Sequence, residues 1–207
     1  MTATSDRPLR SDAARNTERI LRAARQVYAA EGPDVALDAV AKSAGVGERT
    51  LYRHFPSKAE LIRAALDQSI DENLTPAIDS AVANANPLRG LEELLDAAIS
   101  LGSREHHLLV AARKSGALAD ISGPLNDALG ELAERALRDG LVRQDLVADD
   151  LPRVVAMVHS VLWTMDPTSD GWRRYLTLML DAITVTDGRP LPPAVELHYE
   201  PPAEWPL

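Results

Sequence analysis

Seven polar side chains occur close together between residues 48 and 58, and their types suit contacts to nucleic acid. Arg can pair with two acceptors of guanine in the major groove, and Thr can hydrogen-bond a base or touch a thymine methyl. Tyr, His and Lys can bond phosphate oxygens. The segment therefore allows recognition of double-stranded DNA, although an ordinary helical hairpin with a solvated face has similar residues. The seven residues are Glu48, Arg49, Thr50, Tyr52, Arg53, His54 and Lys58.

Apolar residues at helical spacing indicate the two short helices that would carry these side chains. Gly45 falls where the first helix must stop, because a residue without Cβ adopts the left-handed conformation of a helix end at little cost. Gly47 is an acceptable N-cap for the second helix, and Pro56 ends that helix because the residue before a proline is disfavoured in the α region. The pattern predicts a helix-turn-helix. Its apolar positions are Val40, Ala44, Val46, Leu51 and Phe55.

This segment resembles the DNA-binding signature of TetR-type transcriptional regulators, most clearly from Asn16 to Ala65. The matching residues are Ala41, Gly45, Val46, residues 50–55, Ser57, Lys58 and Leu61. The resemblance implies that Glu48, Arg49, Thr50 and Arg53 approach bases. It implies phosphate contacts for Tyr52, His54 and Lys58. The chain departs from the family at Ala36 and Gly47, where Ser or Thr is frequent, and at Asp38, where some members have a basic residue.

Helical patterns separated by Gly and Pro continue through the rest of the chain and predict an all-α protein with about nine helices. The first helix is expected to begin near Ser11 or Asp12, and the fourth to kink or stop at Pro76. The last two are expected over about 149–165 and 169–186. We expect a flexible arm over residues 1–10, a helix-turn-helix domain over 11–57, a helical effector-binding and dimerisation domain over 58–187, and a Pro-rich tail over 188–207.

The distribution of charge agrees with DNA binding even though the net charge is −9. Residues 1–63 carry a net charge of +3, whereas residues 64–207 carry −12. A basic segment that coincides with the helix-turn-helix is the electrostatic pattern expected of phosphate binding. Arg15, Arg19 and Arg22 share one face of the first helix, where they either contact phosphates or are only solvated.

Composition excludes several other kinds of protein. The chain has no Cys, which excludes disulfides, thiolate metal sites and Cys nucleophiles. No apolar stretch approaches the roughly 20 residues that a bilayer-spanning helix needs, so we expect a cytoplasmic protein without a membrane partner. No nucleophile with a paired base and no carboxylate pair stands out, and an enzyme is therefore disfavoured.

The last two helices are apolar on more than one side, which calls for burial on more than one side. Met157 and Trp163 lie off the main apolar face of the eighth helix, and Leu178 and Leu180 lie off that of the ninth. A thick monomer core would satisfy both helices, but the resemblance implies a homodimer through these helices. A dimer would place two recognition helices about 34 Å apart on a pseudo-palindromic operator. The candidate interface residues are Val158, Leu162, Trp172, Tyr175 and Met179.

The resemblance also implies a pocket for a small-molecule effector whose identity the sequence does not specify. Apolar residues could line it and polar residues could anchor the ligand, although plain core packing explains each apolar residue as well. His106 and His107 are adjacent and point about 100° apart on a helix, so we assign no metal and no cofactor. The pocket candidates are Leu91, Leu95, Arg104, His107, Leu108, Asn126, Met157, His159 and Trp163.

The function expected from the residues and the resemblance is a ligand-responsive, DNA-binding transcriptional regulator. By resemblance it is most often a repressor, released from its operator by the effector. The alternatives are a helical interaction module with weakened DNA binding, which Asp38 and Gly47 would favour, and an activator of the same fold.

Overall fold

The computed structural model describes residues 7–115, 123–166, 169–184 and 187–194. Within these ranges the chain forms ten α-helices, one short 3₁₀ helix and no β-strand, so the prediction of an all-α fold is confirmed. The 3₁₀ helix spans Leu162–Thr164. The α-helices are α1 Arg7–Glu31, α2 Leu37–Ser43, α3 Glu48–His54, α4 Lys58–Asn73, α5 Thr75–Ala83, α6 Pro87–Arg104, α7 His106–Lys114, α8 Gly123–Arg138, α9 Asp150–Val161 and α10 Trp172–Thr184.

The first compact unit consists of Met1–Thr75 and Leu101–Leu118. In it α1 packs against α2, α4 and α7, and α3 packs against α2. The core of this unit is apolar and closely filled, because the inward positions of α1, α3 and α4 carry large aliphatic or aromatic side chains. Its fully buried members include Ile20, Ala24, Tyr28, Leu51, Leu61 and Ile62.

The second compact unit consists of Pro76–Ser100 and Ala119–Leu207. Within it α9 packs against both α8 and α10. Gly90 of α6 is required by a close approach, since a Cβ there would lie 2.6 Å from the carbonyl oxygen of Ala81. Arg135 of α8 donates hydrogen bonds to the carbonyl oxygens of Val82 and Asn84 at the end of α5. These contacts hold α5, α6 and α8 together.

The boundaries differ from the predicted ones at both ends of the chain. Helix α1 begins at Arg7, so residues 7–10 are helical; Pro8 stands in the first turn, where the missing N–H costs nothing. The other residues of the expected arm lie outside the described residues. Residues 187–194 form neither helix nor strand, and the rest of the Pro-rich tail lies outside the described residues.

The helix count exceeds the predicted nine because Pro76 starts a helix instead of only ending one. Helix α4 ends at Asn73, and Pro76 occupies the first turn of α5. The expected boundary at residue 57 also differs from the division into units, because α4 packs on α1 and α7 within the first unit. None of the helices in the described ranges has the length and hydropathy needed to cross a bilayer.

Candidate nucleic-acid interface

The turn between α2 and α3 has the geometry of a helix end that requires glycine. Gly45 has a φ of +63°, in the left-handed region. Its N–H donates to the carbonyl of Lys42 at 3.1 Å, and the N–H of Val46 donates to the carbonyl of Ala41 at 3.0 Å. These two bonds satisfy carbonyls that the end of α2 would otherwise leave open. The predicted helix stop at Gly45 is confirmed.

Helix α3 has only seven residues and no side-chain cap at its start. Gly47 is the N-cap, and its carbonyl oxygen accepts hydrogen bonds from the N–H groups of Thr50 and Leu51. Leu51 is fully buried, and Phe55 at the C-cap is also buried. Because a helix this short is marginal in water by itself, its position depends on these apolar anchors.

The outward face of α3 carries the polar residues that the sequence singled out. Glu48, Arg49 and Arg53 are exposed, and 49% of Tyr52 is exposed. Thr50 is half-buried beside Leu51. The face therefore presents two cations, one carboxylate and one phenol, a combination able to bond both base edges and phosphates.

His54 does not share the exposed position of its neighbours. Its Nδ1 lies 3.1 Å from the hydroxyl oxygen of Thr17 in α1. Its Nε2 is buried and has no hydrogen-bond partner among the described residues. Both ring nitrogens are turned into the protein, which disagrees with the expected phosphate contact.

Lys58 lies at the first position of α4, four residues after the end of α3. The side chain is half-buried, and its Nζ lies 5.9 Å from the ring centroid of Tyr28. Ser57 caps α4 by accepting a hydrogen bond from the N–H of Glu60 at 3.2 Å. The cation is therefore held near the start of a helix, where the dipole also favours an anion.

Arg19 and Arg22, which share a face of α1, have partners on the same helix. Arg19 donates to Asn16 at 2.8 Å, and Arg22 pairs with Glu18 at 2.9 Å. Exposed pairs of this kind stabilise a helix only weakly.

A buried carboxylate joins α1 to α4 and to the junction of α6 and α7. Glu105 is 6% exposed, and its Oε1 accepts a hydrogen bond from Nε of Arg25 at 2.8 Å and lies 2.8 Å from Nη2 of the same guanidinium. The same oxygen accepts from the hydroxyl of Ser69 at 2.7 Å. Arg25 also donates to Glu72 at 2.7 Å. One network therefore ties three segments together behind the helix-turn-helix.

Electrostatics keep Arg25 charged in this network. Burial by itself lowers the pKa of Arg25, but the hydrogen bond to Glu72 and the charge of Glu105 outweigh burial and raise that pKa. Sequence reasoning did not single out Arg25 or Glu105. A signal was present, because Glu105 falls at helical spacing between the buried Leu101 and Leu108. A charged residue in an apolar register is rarely buried unless it is paired.

The predicted pocket residues do not lie in one compact unit. Arg104, His107 and Leu108 belong to the first unit and the other six to the second. Leu91, Leu95 and Leu108 are buried, Asn126 and His159 are half-buried, and Arg104 is exposed. His107 lies 3.0 Å from the carbonyl oxygen of Tyr28 through Nδ1. Met157 and Trp163 are 50% and 62% exposed, which does not fit residues enclosed in a cavity of the protomer.

The residues predicted for the dimer interface divide into two groups. Val158, Leu162 and Trp172 are buried in the second unit, so their side chains are not available to a partner. Tyr175 is 39% exposed and Met179 is half-buried. The exposed apolar residues of this region are instead Met157, Trp163, Tyr175 and Leu178. Three of the five predicted residues fall on an inward face because the longest apolar stripe of a helix packs against the protomer's own core.

The described residues contain no group of three or more His, Asp or Glu side chains placed to hold a metal ion. The rings of His106 and His107 are tilted by 59° with centroids 5.6 Å apart. Burial and the charge of His107 lower the pKa of His106.

Comparisons with known proteins agree on one family. A model described as bacterial regulatory proteins of the tetR family matches residues 20–65. A TetR transcription regulatory protein from Mycobacterium vanbaalenii is 30% identical, with a TM-score of 0.57; the match covers 86% of this chain and all of that one.

Two further proteins illustrate the range of the similarity. The HTH-type transcriptional repressor KstR from Rhodococcus jostii is 32% identical over 133 residues, which are 62% of this chain and 59% of KstR. The transcriptional regulator FadR from Bacillus subtilis, solved in complex with stearoyl-CoA, is 16% identical with a TM-score of 0.65. Its match covers 80% of this chain and 98% of FadR.

The buried network makes a prediction about stability. We expect Glu105→Gln to lower the free energy of unfolding by about 1.5–3 kcal/mol, because Arg25 and Ser69 lose hydrogen bonds to a buried carboxylate while Arg25 keeps its partner Glu72. Glu18→Gln is the matched control, since it removes an exposed partner of Arg22 and should change stability by less than about 0.5 kcal/mol. Urea denaturation of the two variants measures both values. Equal effects would contradict the role given to Glu105.

Proposed function

Because the chain belongs to the TetR family of DNA-binding transcriptional regulators, we propose that it is a dimeric repressor that a small-molecule effector releases from a pseudo-palindromic operator. The observation that carries the proposal is the outward face of α3. Arg49, Tyr52 and Arg53 stand exposed on a helix whose opposite side is fixed by the buried Leu51.

The charge pattern supports DNA as the partner of this face. The net charge of +3 over residues 1–63 contrasts with −12 over the rest of the chain. Phosphate contacts release counterions, so the affinity should fall as salt rises. Base contacts by the α3 side chains would add the sequence preference.

The exposed apolar residues of the last two helices support a dimer of two copies of the chain. Met157 lies on α9, and Trp163 lies six residues later on the 3₁₀ helix. Tyr175 and Leu178 lie about one turn apart on α10. Such side chains favour burial against a partner surface. A two-fold dimer then presents two copies of α3 to two half-sites.

The effector is proposed on the family's pattern of regulation. FadR is bound to stearoyl-CoA, and KstR is a repressor. An effector releases DNA only if it binds the DNA-incompetent conformation more tightly than the competent one. Leu91 and Leu95 remain candidates for contacts to an apolar ligand.

DNA recognition predicts the effect of shortening the α3 side chains. We expect the double substitution Arg49→Ala, Tyr52→Ala to weaken binding to the selected operator at least about tenfold, because each lost base or phosphate contact costs about 1–3 kcal/mol. The operator is a duplex selected by the unaltered protein from a randomised library, and binding is measured by fluorescence anisotropy. Arg89→Ala removes an exposed Arg of α6 as a control. Unchanged affinity in the double variant would contradict the assignment of α3.

The dimer predicts the effect of a charge placed among the exposed apolar residues. We expect Leu178→Glu to convert the dimer to a monomer, because a buried and unpaired carboxylate is costly. Leu178 is 49% exposed in the protomer, so folding should be unaffected. Val147→Glu is the control, since Val147 is 36% exposed but lies in the loop before α9. Sedimentation velocity reports the mass; a dimer that persists in Leu178→Glu would place the interface elsewhere.

An effector that binds the native protein should raise its melting temperature and release it from the operator. We expect a screen of amphipathic compounds, stearoyl-CoA included, to yield one that raises the melting temperature and releases the selected operator. A ligand at a hundred times its Kd stabilises the native state by about 2.7 kcal/mol. Coenzyme A without an acyl chain controls for nucleotide binding. If no compound does both, the effector part of the proposal is wrong and DNA binding is unaffected.

A further inference from the structure

The inward position of His54 gives this residue a different role from its neighbours on α3. The ring sits at the last position of α3 and meets Thr17, which lies on α1 and is 37 residues earlier in the chain. The contact joins Nδ1 of the ring to the Thr17 hydroxyl at 3.1 Å. It is a side-chain hydrogen bond between the recognition helix and the first helix.

A direct phosphate contact by His54 would need a ring nitrogen that faces solvent. Nδ1 is already engaged with Thr17, and Nε2 is buried. A phosphate could reach the ring only if the side chain left the protein and broke the bond to Thr17. The exposed Arg49, Tyr52 and Arg53 reach solvent without such a change.

Helix α3 needs a directional contact of this kind. It has seven residues, and neither its N-cap Gly47 nor its C-cap Phe55 supplies a side-chain hydrogen bond. Leu51 and Phe55 hold the helix by apolar burial, which is non-directional. A hydrogen bond has a preferred angle and distance, so it restricts rotation of the helix about its own axis.

We infer that Thr17 and His54 form a positioning pair that sets the orientation of the recognition helix against α1, and thereby the sequence preference of the protein. The pair acts through the side chains of α3 and does not itself contact DNA. The inference rests on the proposed function, because it assumes that α3 reads the operator.

The experiment compares binding to two duplexes at one salt concentration. One duplex is the operator selected by the unaltered protein, and the other has the same bases in scrambled order. The dissociation constant for the scrambled duplex divided by that for the operator measures sequence preference, and this quotient is called the ratio below. A lost phosphate contact weakens binding to both duplexes about equally, whereas a misplaced helix weakens mainly the operator complex. Melting temperatures identify any variant that fails to fold.

Thr17→Val is the first variant, because valine keeps the shape of threonine and removes its hydroxyl. We expect it to lower the ratio about fivefold, the effect of one net hydrogen bond. Thr17→Ser keeps the hydroxyl and should retain the ratio. Thr177→Val is the matched control, since the Thr177 hydroxyl donates to the carbonyl of Arg173 within its own helix α10. If Thr17→Val has the same ratio as the unaltered protein, the inference is overturned.

Two substitutions of His54 test the roles of its two ring nitrogens independently. His54→Asn puts an amide nitrogen at the position of Nδ1, and His54→Gln puts one near the position of Nε2. A positioning role through Nδ1 predicts that His54→Asn retains most of the ratio and that His54→Gln loses about fivefold. The opposite order, with binding to both duplexes weakened equally in His54→Asn, would make His54 a phosphate contact and overturn the inference.

The outcomes also separate this inference from the proposed function. If the unaltered protein does not prefer the selected duplex to the scrambled one, the proposed function fails and the inference fails with it. If the unaltered protein does prefer it and the Thr17 and His54 variants keep that preference, only the inference fails.

Discussion

Helix α3 is too short to hold its own shape, and this constraint governs the architecture around it. A seven-residue helix forms too few hydrogen bonds to offset the cost of nucleation. Its conformation and orientation therefore come from packing: Leu51 is buried beneath it, Phe55 closes it, and Gly45 turns the chain into it. The polar face can project into solvent because the opposite face contributes to the core.

Helix α1 serves as the common support for the elements around α3. Near its middle it contacts α3 through Thr17, and eight residues later Arg25 joins the buried network with Glu105. Eight residues correspond to about 12 Å along a helix. Helix α4 begins four residues after the end of α3 and joins the same network through Ser69. A displacement of α4 against α1 would therefore have to break charge-assisted hydrogen bonds, which are among the stronger ones in proteins.

Sequence reasoning identified what depends on local pattern and missed what depends on packing partners. The turn at Gly45 and the exposed face of α3 follow from spacing and residue type alone. The inward turn of His54 depends on Thr17, and no sequence pattern relates two residues 37 positions apart. The last helices show the same limit: periodicity reveals two apolar faces, but not which face the protomer's own core covers. Val158 and Trp172 were therefore expected at an interface and are buried instead.

The uneven distribution of charge along the chain affects how many base contacts are needed to select one DNA sequence over another. The N-terminal 63 residues carry a net charge of only +3, so the sequence-independent attraction to phosphates is modest. The remaining chain carries a net charge of −12, which disfavours non-specific association of that part with DNA. Selectivity is a difference between affinities, and it rises when the non-specific term is small. Under the proposed function, the orientation of a few side chains on α3 carries a large share of the discrimination, and the contacts that fix this short helix then contribute to recognition.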